Sequence, residues 1–215
     1  MIHSEAHAFI FFELGRTGTT SVQEVLRERG RAVVAWDPEL RDRFAALVKR
    51  GIRRRGTRYR ASVRTINKHI APWMATEVLA ASELRRCFKF AFVRNPFDKA
   101  VSLYRYHTGT GEVEASDFKE YLKRIRERYM DAEPQVEWLS DDDGRMLVDY
   151  VGRFETLQAD FDGICARIGL PRATLPRRNQ SERVHFRDYY DGESRRRVAE
   201  MFGPDLEAFG YGFDD

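Results

Sequence analysis

The chain has 215 residues, with 37 Lys and Arg against 34 Asp and Glu, a formal net charge of +3 with histidines neutral. Its 42% hydrophobic, 13% aromatic and 33% charged residues exclude disordered and fibrous classes. A chain of this length buries roughly 70% of the surface its unfolded form exposes, so one domain over residues 1–215 with a substantial core is expected.

No window approaches the ~20 apolar residues that cross a bilayer. Charges at Glu5, Glu13, Arg16, Glu24 and Arg27 argue against a signal peptide. Cys87 and Cys165 stand far apart without a CxxC pair. Structural zinc and a disulfide framework are therefore not expected, and the reading is a cytoplasmic protein with two reduced, buried cysteines.

In chain order, Ala8 to Phe12 is a short continuous apolar run that reads as a buried strand. Val22, Val25 and Leu26 then fall at helical spacing, with Thr20 or Ser21 as N-cap and Gly30 at a C-terminus that favours positive φ. Ala32 to Trp36 reads as a second strand. Between Lys49 and Arg60 seven of twelve residues are basic and no apolar period is visible, which marks the stretch as the least ordered.

Phe88 to Val93 is again a β-type run. Asn95, Pro96 and Asp98 supply the N-cap, first-turn and N3 residues of a helix whose apolar face is Phe97, Ala100, Val101 and Tyr104. Further helices are predicted from Asp117 to about Met130, through Leu157 to Ile168, and from about Glu193 to Phe202, with a strand from Met146 to Val151 between the first two. Strands alternating with helices predict an α/β fold, a three-layer arrangement in which a parallel sheet carries helices on both faces.

Two strand-turn-helix units carry chemistry. Gly15-Arg16-Thr17-Gly18-Thr19-Thr20-Ser21 lies between a buried strand and an amphipathic helix. Glycines let backbone amides turn toward an anion, the helix N-terminus adds partial positive charge, four hydroxyls add donors, and Arg16 adds a full charge. An ordinary turn with a cap is the plainer alternative. The loop lacks the Gly-Lys-Ser/Thr ending and glycine spacing of a Walker A motif, and no hydroxyl and carboxylate pair for magnesium is evident, so the anion is expected to be handled without a metal.

In the second unit Arg94 ends a strand and Ser102 follows on the next helix. A cation at the strand end and a hydroxyl on the helix suit the gripping of one phosphate from two sides. The plainer alternative is that Arg94 pairs with a carboxylate and Ser102 is solvated.

Together, FIFFELGRTGTTSVQEVL and FKFAFVRNPFDKAVSLYRYH resemble the two cofactor-binding segments of sulfotransferases that use 3′-phosphoadenosine 5′-phosphosulfate (PAPS). The C-terminal stretches through VDYVGRFETLQADF and HFRDYYDGESRRRVAEMFGPDLEAFGYGF look like the carbohydrate-type branch of that family. The resemblance implies a single domain of the P-loop NTPase-like sulfotransferase fold. It implies that Gly15 to Ser21 hold the 5′-phosphosulfate and that Arg94 and Ser102 hold the 3′-phosphate. It also implies that Phe154 packs near the adenine, the alternative being a core aromatic. Asn179 and Ser181, in the NQS stretch before the last helix, are candidates to close over the cofactor.

Where the family usually has Lys, this chain has Arg16, which stays protonated, neutralises charge on the departing phosphate oxygen, and is a poor proton donor. Sulfuryl transfer also needs a base. The resemblance points to His69, in Asn67-Lys68-His69, with Lys68 either assisting at the sulfonate oxygens or solvated. Asp37, Glu39 and His107 are the competing bases, with less positional support for His3, His7 and His185.

The expected acceptor is a hydroxyl-bearing carbohydrate or glycoconjugate. The run Lys49 to Arg60 suits either recruitment of an anionic glycan or a solubilising face. A nucleic-acid partner is not expected, because Tyr59 is the run's one aromatic. Two other readings are a non-catalytic nucleotide-binding module of the same fold and a P-loop phosphotransferase.

Overall fold

The structure is a computed structural model that describes residues 1–30, 33–34, 42–43, 46, 52–54, 57–59, 70–125, 133–176 and 184–215. It divides into two compact units, one of Met1–Val93 with Trp138–Arg178, the other of Arg94–Glu137 with Asn179–Asp215.

The first unit carries a five-stranded sheet. Its strands are β1 (Ile2–Ser4), β2 (Phe9–Phe12), β3 (Val33–Val34), β6 (Phe88–Val93) and β7 (Tyr150–Arg153), in the order β3-β1-β2-β6-β7. β2 pairs in parallel with β6, and β6 in parallel with β7. The sheet is not wholly parallel as predicted, because β1 is antiparallel to both β2 and β3. The cause is local: only four residues join β1 to β2, a link that closes a hairpin but is far too short for the crossover a parallel neighbour needs.

Helices α1 (Thr19–Arg29) and α7 (Leu157–Arg167) pack on the sheet. Val22, Val25 and Leu26 of α1 share one core with Phe161, Ile164 and Cys165 of α7 and with Phe9, Phe11, Phe90 and Phe92 of the strands. Phe11 and Phe90 stack with centroids 5.1 Å apart, and Phe92 meets Phe90 edge-on at 6.4 Å. The alternate residues Ile10, Phe12, Ala91 and Val93 are buried as well, so both faces of β2 and β6 are covered, as in α/β proteins. Burying such aromatic side chains contributes about 1.5–3 kcal/mol each.

Several boundaries move. The N-cap of α1 is Gly18 at φ 78°, not Thr20 or Ser21. Gly30 caps the other end at φ −84°, so it serves space rather than a left-handed turn: a Cβ there would lie 3.2 Å from the Phe9 ring and 2.6 Å from the Leu26 carbonyl oxygen. Within the basic run, β4 (Ile52–Arg54) and β5 (Thr57–Tyr59) form a two-stranded antiparallel hairpin, where the sequence predicts the least order. Short helices α2 (Pro72–Val78) and α3 (Ala81–Arg86) lead into β6. β7 starts later than predicted, Met146 instead forming an isolated bridge with Ser140. Cys87 and Cys165 are both unpaired thiols and both buried, and burial pushes each thiol's pKa up.

The second unit is helical. It contains α4 (Pro96–Gly109), α5 (Phe118–Ile125), α8 (Gly192–Met201) and α9 (Gly203–Phe209), and α6 (Gln135–Leu139) begins in it. α4 starts as the sequence indicates, with the Asn95 side chain accepting from Phe97 N–H at 2.9 Å and Pro96 in the first turn. Its apolar face packs with Phe118, Tyr121 and Leu122 of α5 and Val198 of α8. α8 has a capping box, Asp191 accepting from Ser194 N–H at 2.9 Å while Ser194 Oγ accepts from Asp191 N–H at 2.8 Å. No helix among the described residues is long and apolar enough to cross a membrane.

Candidate active site

In the first unit, the chain leaving β2 runs through α1 to β3 on one side of the sheet order, while the chain leaving β6 returns at β7 on the other. Strand order therefore reverses at this point, which is where open α/β sheets hold ligands. Within the loop Arg16 has φ 67° and Gly18 φ 78°. A left-handed residue without Gly's freedom costs about 1–2 kcal/mol, and such strain persists where the surroundings and function hold it. Left-handed residues alternating along a turn point successive amides to one side, the geometry of an anion cradle. The loop leads into α1, whose N-cap makes no side-chain hydrogen bond and whose own first turn carries no acidic residue to neutralise its dipole.

The hydroxyls divide. Thr17 is fully buried, and its Oγ1 donates to the Leu14 carbonyl at 3.0 Å, which braces the loop. Ser21 Oγ donates to the Pro176 carbonyl at 2.7 Å. Thr19 is buried and Thr20 exposed at the first positions of α1. Two of the loop's four hydroxyls are thus committed to carbonyls of the protein itself.

Phe154 follows β7, with its N–H donating to the Val93 carbonyl at 2.7 Å. Its ring lies against Gly18: a Cβ on that glycine would stand 3.1 Å from Phe154 Cδ2 and 2.7 Å from Leu157 Cδ2. The turn that bears Phe154 is held by Asp160. This carboxylate accepts from Tyr150 Oη (2.7 Å), Arg153 N–H (2.8 Å) and Thr156 Oγ1 (2.7 Å). Its own burial works to raise the Asp160 pKa, but these three donors hold it below the usual carboxylate value. Burial, and then the bond to Asp160, push Tyr150 up to about 12.

In the second unit Arg94 is the first residue after β6, with only 4% of its side chain exposed. Its Nε and Nη2 both donate to Asp98 Oδ2, at 2.8 and 2.6 Å. The carboxylate pairing that the sequence left open is therefore present. Ser102 is half-buried, four residues beyond Asp98 and so on the same side of α4. Missed by sequence reading are Gln135, which bonds Arg94's backbone, and Asp205, which bonds Gln135. Nothing local signals Gln135, whereas the Arg94-to-Asp98 spacing is visible in the sequence.

His107 is buried, with Nδ1 2.8 Å from the buried Tyr121 Oη and Nε2 3.9 Å from Oε2 of the exposed Glu112. His3 contacts Glu83 and Cys87, His7 Nδ1 lies 3.1 Å from the Ile168 carbonyl, and His185 Nδ1 accepts from Arg187 N–H. His69, with Asn67, Lys68, Asp37, Glu39, Asn179 and Ser181, lies outside the described residues.

Over residues 2–212 the sequence matches the model described as the sulfotransferase family, and the chain belongs to that family. It is also similar to the crystal structure of a sulfotransferase from Alicyclobacillus acidocaldarius, at 24% identity over 65% of this chain and 63% of that one, with a TM-score of 0.34. That match thus spans less than two thirds of the other chain's length. Among curated proteins none matches.

Proposed function

We propose that this chain is a PAPS-dependent sulfotransferase, a single domain over residues 1–215 that moves a sulfuryl group to a hydroxyl on a carbohydrate or glycoconjugate. The observation that carries this is the loop of a sulfotransferase-family chain in which left-handed Arg16 and Gly18 lead into an α1 N-terminus without a side-chain cap. Gly15 to Ser21 hold the 5′-phosphosulfate through amides and the Arg16 guanidinium. Arg94 and Ser102 hold the 3′-phosphate, and Phe154 packs near the adenine as well as against Gly18.

PAPS supplies an activated sulfuryl group. Its sulfur–oxygen bond to the phosphate breaks as the acceptor oxygen bonds sulfur, giving a sulfate ester and adenosine 3′,5′-bisphosphate. His69 takes the acceptor's proton, and Arg16 neutralises the negative charge left on the phosphate oxygen. No metal is required. The basic run around β4 and β5 steers an anionic glycan toward the site by a field that salt screens. A cytoplasmic location is part of the same proposal, supported by two buried, unpaired cysteines.

The test is thermal stability with adenosine 3′,5′-bisphosphate, ADP and AMP, followed by transfer from labelled PAPS to a panel of sugars without added metal. A ligand at a hundred times its Kd adds about 2.7 kcal/mol, a shift of several degrees. A shift for the bisphosphate with transfer to a sugar is the expected result. A shift without transfer to any acceptor would make the chain a binding module, and no shift at millimolar ligand would sink the donor assignment.

A further inference from the structure

Directly after β6, both backbone polar groups of Arg94 are bound by one side chain. Arg94 N–H donates to Gln135 Oε1 at 3.0 Å, and Gln135 Nε2 donates to the Arg94 carbonyl at 2.8 Å. This is the paired exchange a neighbouring strand residue makes, supplied here by a carboxamide that is fully buried.

The orientation of that amide is set by a second residue. Gln135 Nε2 also donates to Asp205 Oδ2 at 3.1 Å, and Asp205 Oδ1 accepts from Val136 N–H at 2.8 Å. Both Asp205 oxygens accept, from Gln135 Nε2 and Val136 N–H, so the carboxyl group draws the NH2 end of Gln135 toward itself and leaves Oε1 for Arg94 N–H. Asp205 is fully buried at the start of α9, and the buried Lys99 lies close enough to favour its charge. Burial raises the Asp205 pKa, against the pull of Lys99 and the donors from Gln135 and Val136.

Arg94 is thereby held at two ends, its backbone by Gln135 and its guanidinium by Asp98. We infer that Gln135, oriented by Asp205, is a positioning residue that presets Arg94 for the 3′-phosphate of the donor. The inference rests on the reading of Arg94 proposed above. A guanidinium fixed before the ligand arrives loses little freedom on binding, so the network's effect falls on affinity for the 3′-phosphate rather than on nucleotides in general.

The experiment compares affinities for adenosine 3′,5′-bisphosphate and for AMP in wild type, Gln135→Glu, Asp205→Asn and the double variant. Gln135→Glu keeps an acceptor for Arg94 N–H, loses the donor to the Arg94 carbonyl, and sets two carboxylates face to face. It is expected to weaken the bisphosphate about tenfold while AMP changes less than about twofold. In the double variant the new amide at position 205 donates to the new carboxylate at 135 and still accepts from Val136 N–H, so it is expected to regain part of the lost preference. Should Gln135→Glu not fold, Asp205→Asn carries the same comparison, because it leaves Gln135 in place and removes only what orients it. Equal losses for both nucleotides, or an unchanged preference, would overturn the positioning role. A wild type that does not prefer the bisphosphate over AMP would instead overturn the 3′-phosphate assignment of Arg94 itself.

Discussion

The ring of Phe154 stands close beside Gly18, 3.1 Å from where a Cβ on that glycine would lie. Glycine is thus favoured twice at this loop position, by a φ of 78° and by the aromatic close beside it. Gly18→Ala is expected to destabilise the fold by about 1–3 kcal/mol and to weaken adenosine bisphosphate binding. Adding Phe154→Ala is expected to recover part of the stability and leave the cost of φ and of the Leu157 contact. Thermal melts of the single and double variants read this coupling, and strictly additive losses would show that the two residues do not meet.

Arg94 spends two nitrogens on Asp98, so charge alone does not define its role. Arg94→Lys keeps the charge but has one ammonium and no fork with which to bond Asp98 and a phosphate together. It is expected to lose about tenfold in bisphosphate affinity, about 1.4 kcal/mol, with AMP affinity little changed. Ser102→Ala is expected to act in the same direction by a smaller factor. Isothermal titration with the two nucleotides decides, and a Lys variant binding as wild type would reduce Arg94 to a structural partner of Asp98.

His69→Ala is expected to leave bisphosphate binding intact and to lower turnover about a hundredfold or more. A general-base imidazole works only when unprotonated, so the wild-type rate should fall on the acid side, and that limb should vanish in the variant. An unchanged rate would move the base to Asp37 or Glu39.

Features set by neighbours in sequence were legible. Phe88–Val93 reads as a strand because six successive residues are apolar or flanked by aromatics, and Asn95 with Pro96 announces the helix that follows. Gly15 to Ser21 leads into α1, Arg94 follows β6 and Ser102 lies on α4, placements that their local sequence spacing predicts. β1 escaped because Ile2-His3-Ser4 is three residues long with a polar middle, and its antiparallel pairing is a tertiary fact. The cap of α1 was misplaced because hydroxyl residues are usual caps, whereas here the loop's left-handed backbone puts Gly18 there. Gln135 and Asp205 were invisible because their partners are distant in the chain and a single amide carries no pattern.

Asp160 ties the Phe154 turn to β7 through three donors, and its titration is the source of a pH dependence. Its folded pKa is depressed, so the stability it adds is present above its unfolded value of about 4 and is lost as pH falls through the lower folded value. Tyr150 is raised to about 12, so its share is complete below its unfolded value near 10 and disappears as pH climbs through about 12. Between roughly pH 4 and 10 both contributions are whole. Asp160→Asn is expected to cost about 1–2 kcal/mol at pH 7, allowing for solvent near a partly exposed group, and the difference from wild type should shrink in melts at pH 3. Tyr150→Phe should leave the acid limb in place and remove the alkaline one. A wild-type and Asp160→Asn difference that stayed constant from pH 7 to pH 3 would mean that the carboxylate's charge does not hold this turn.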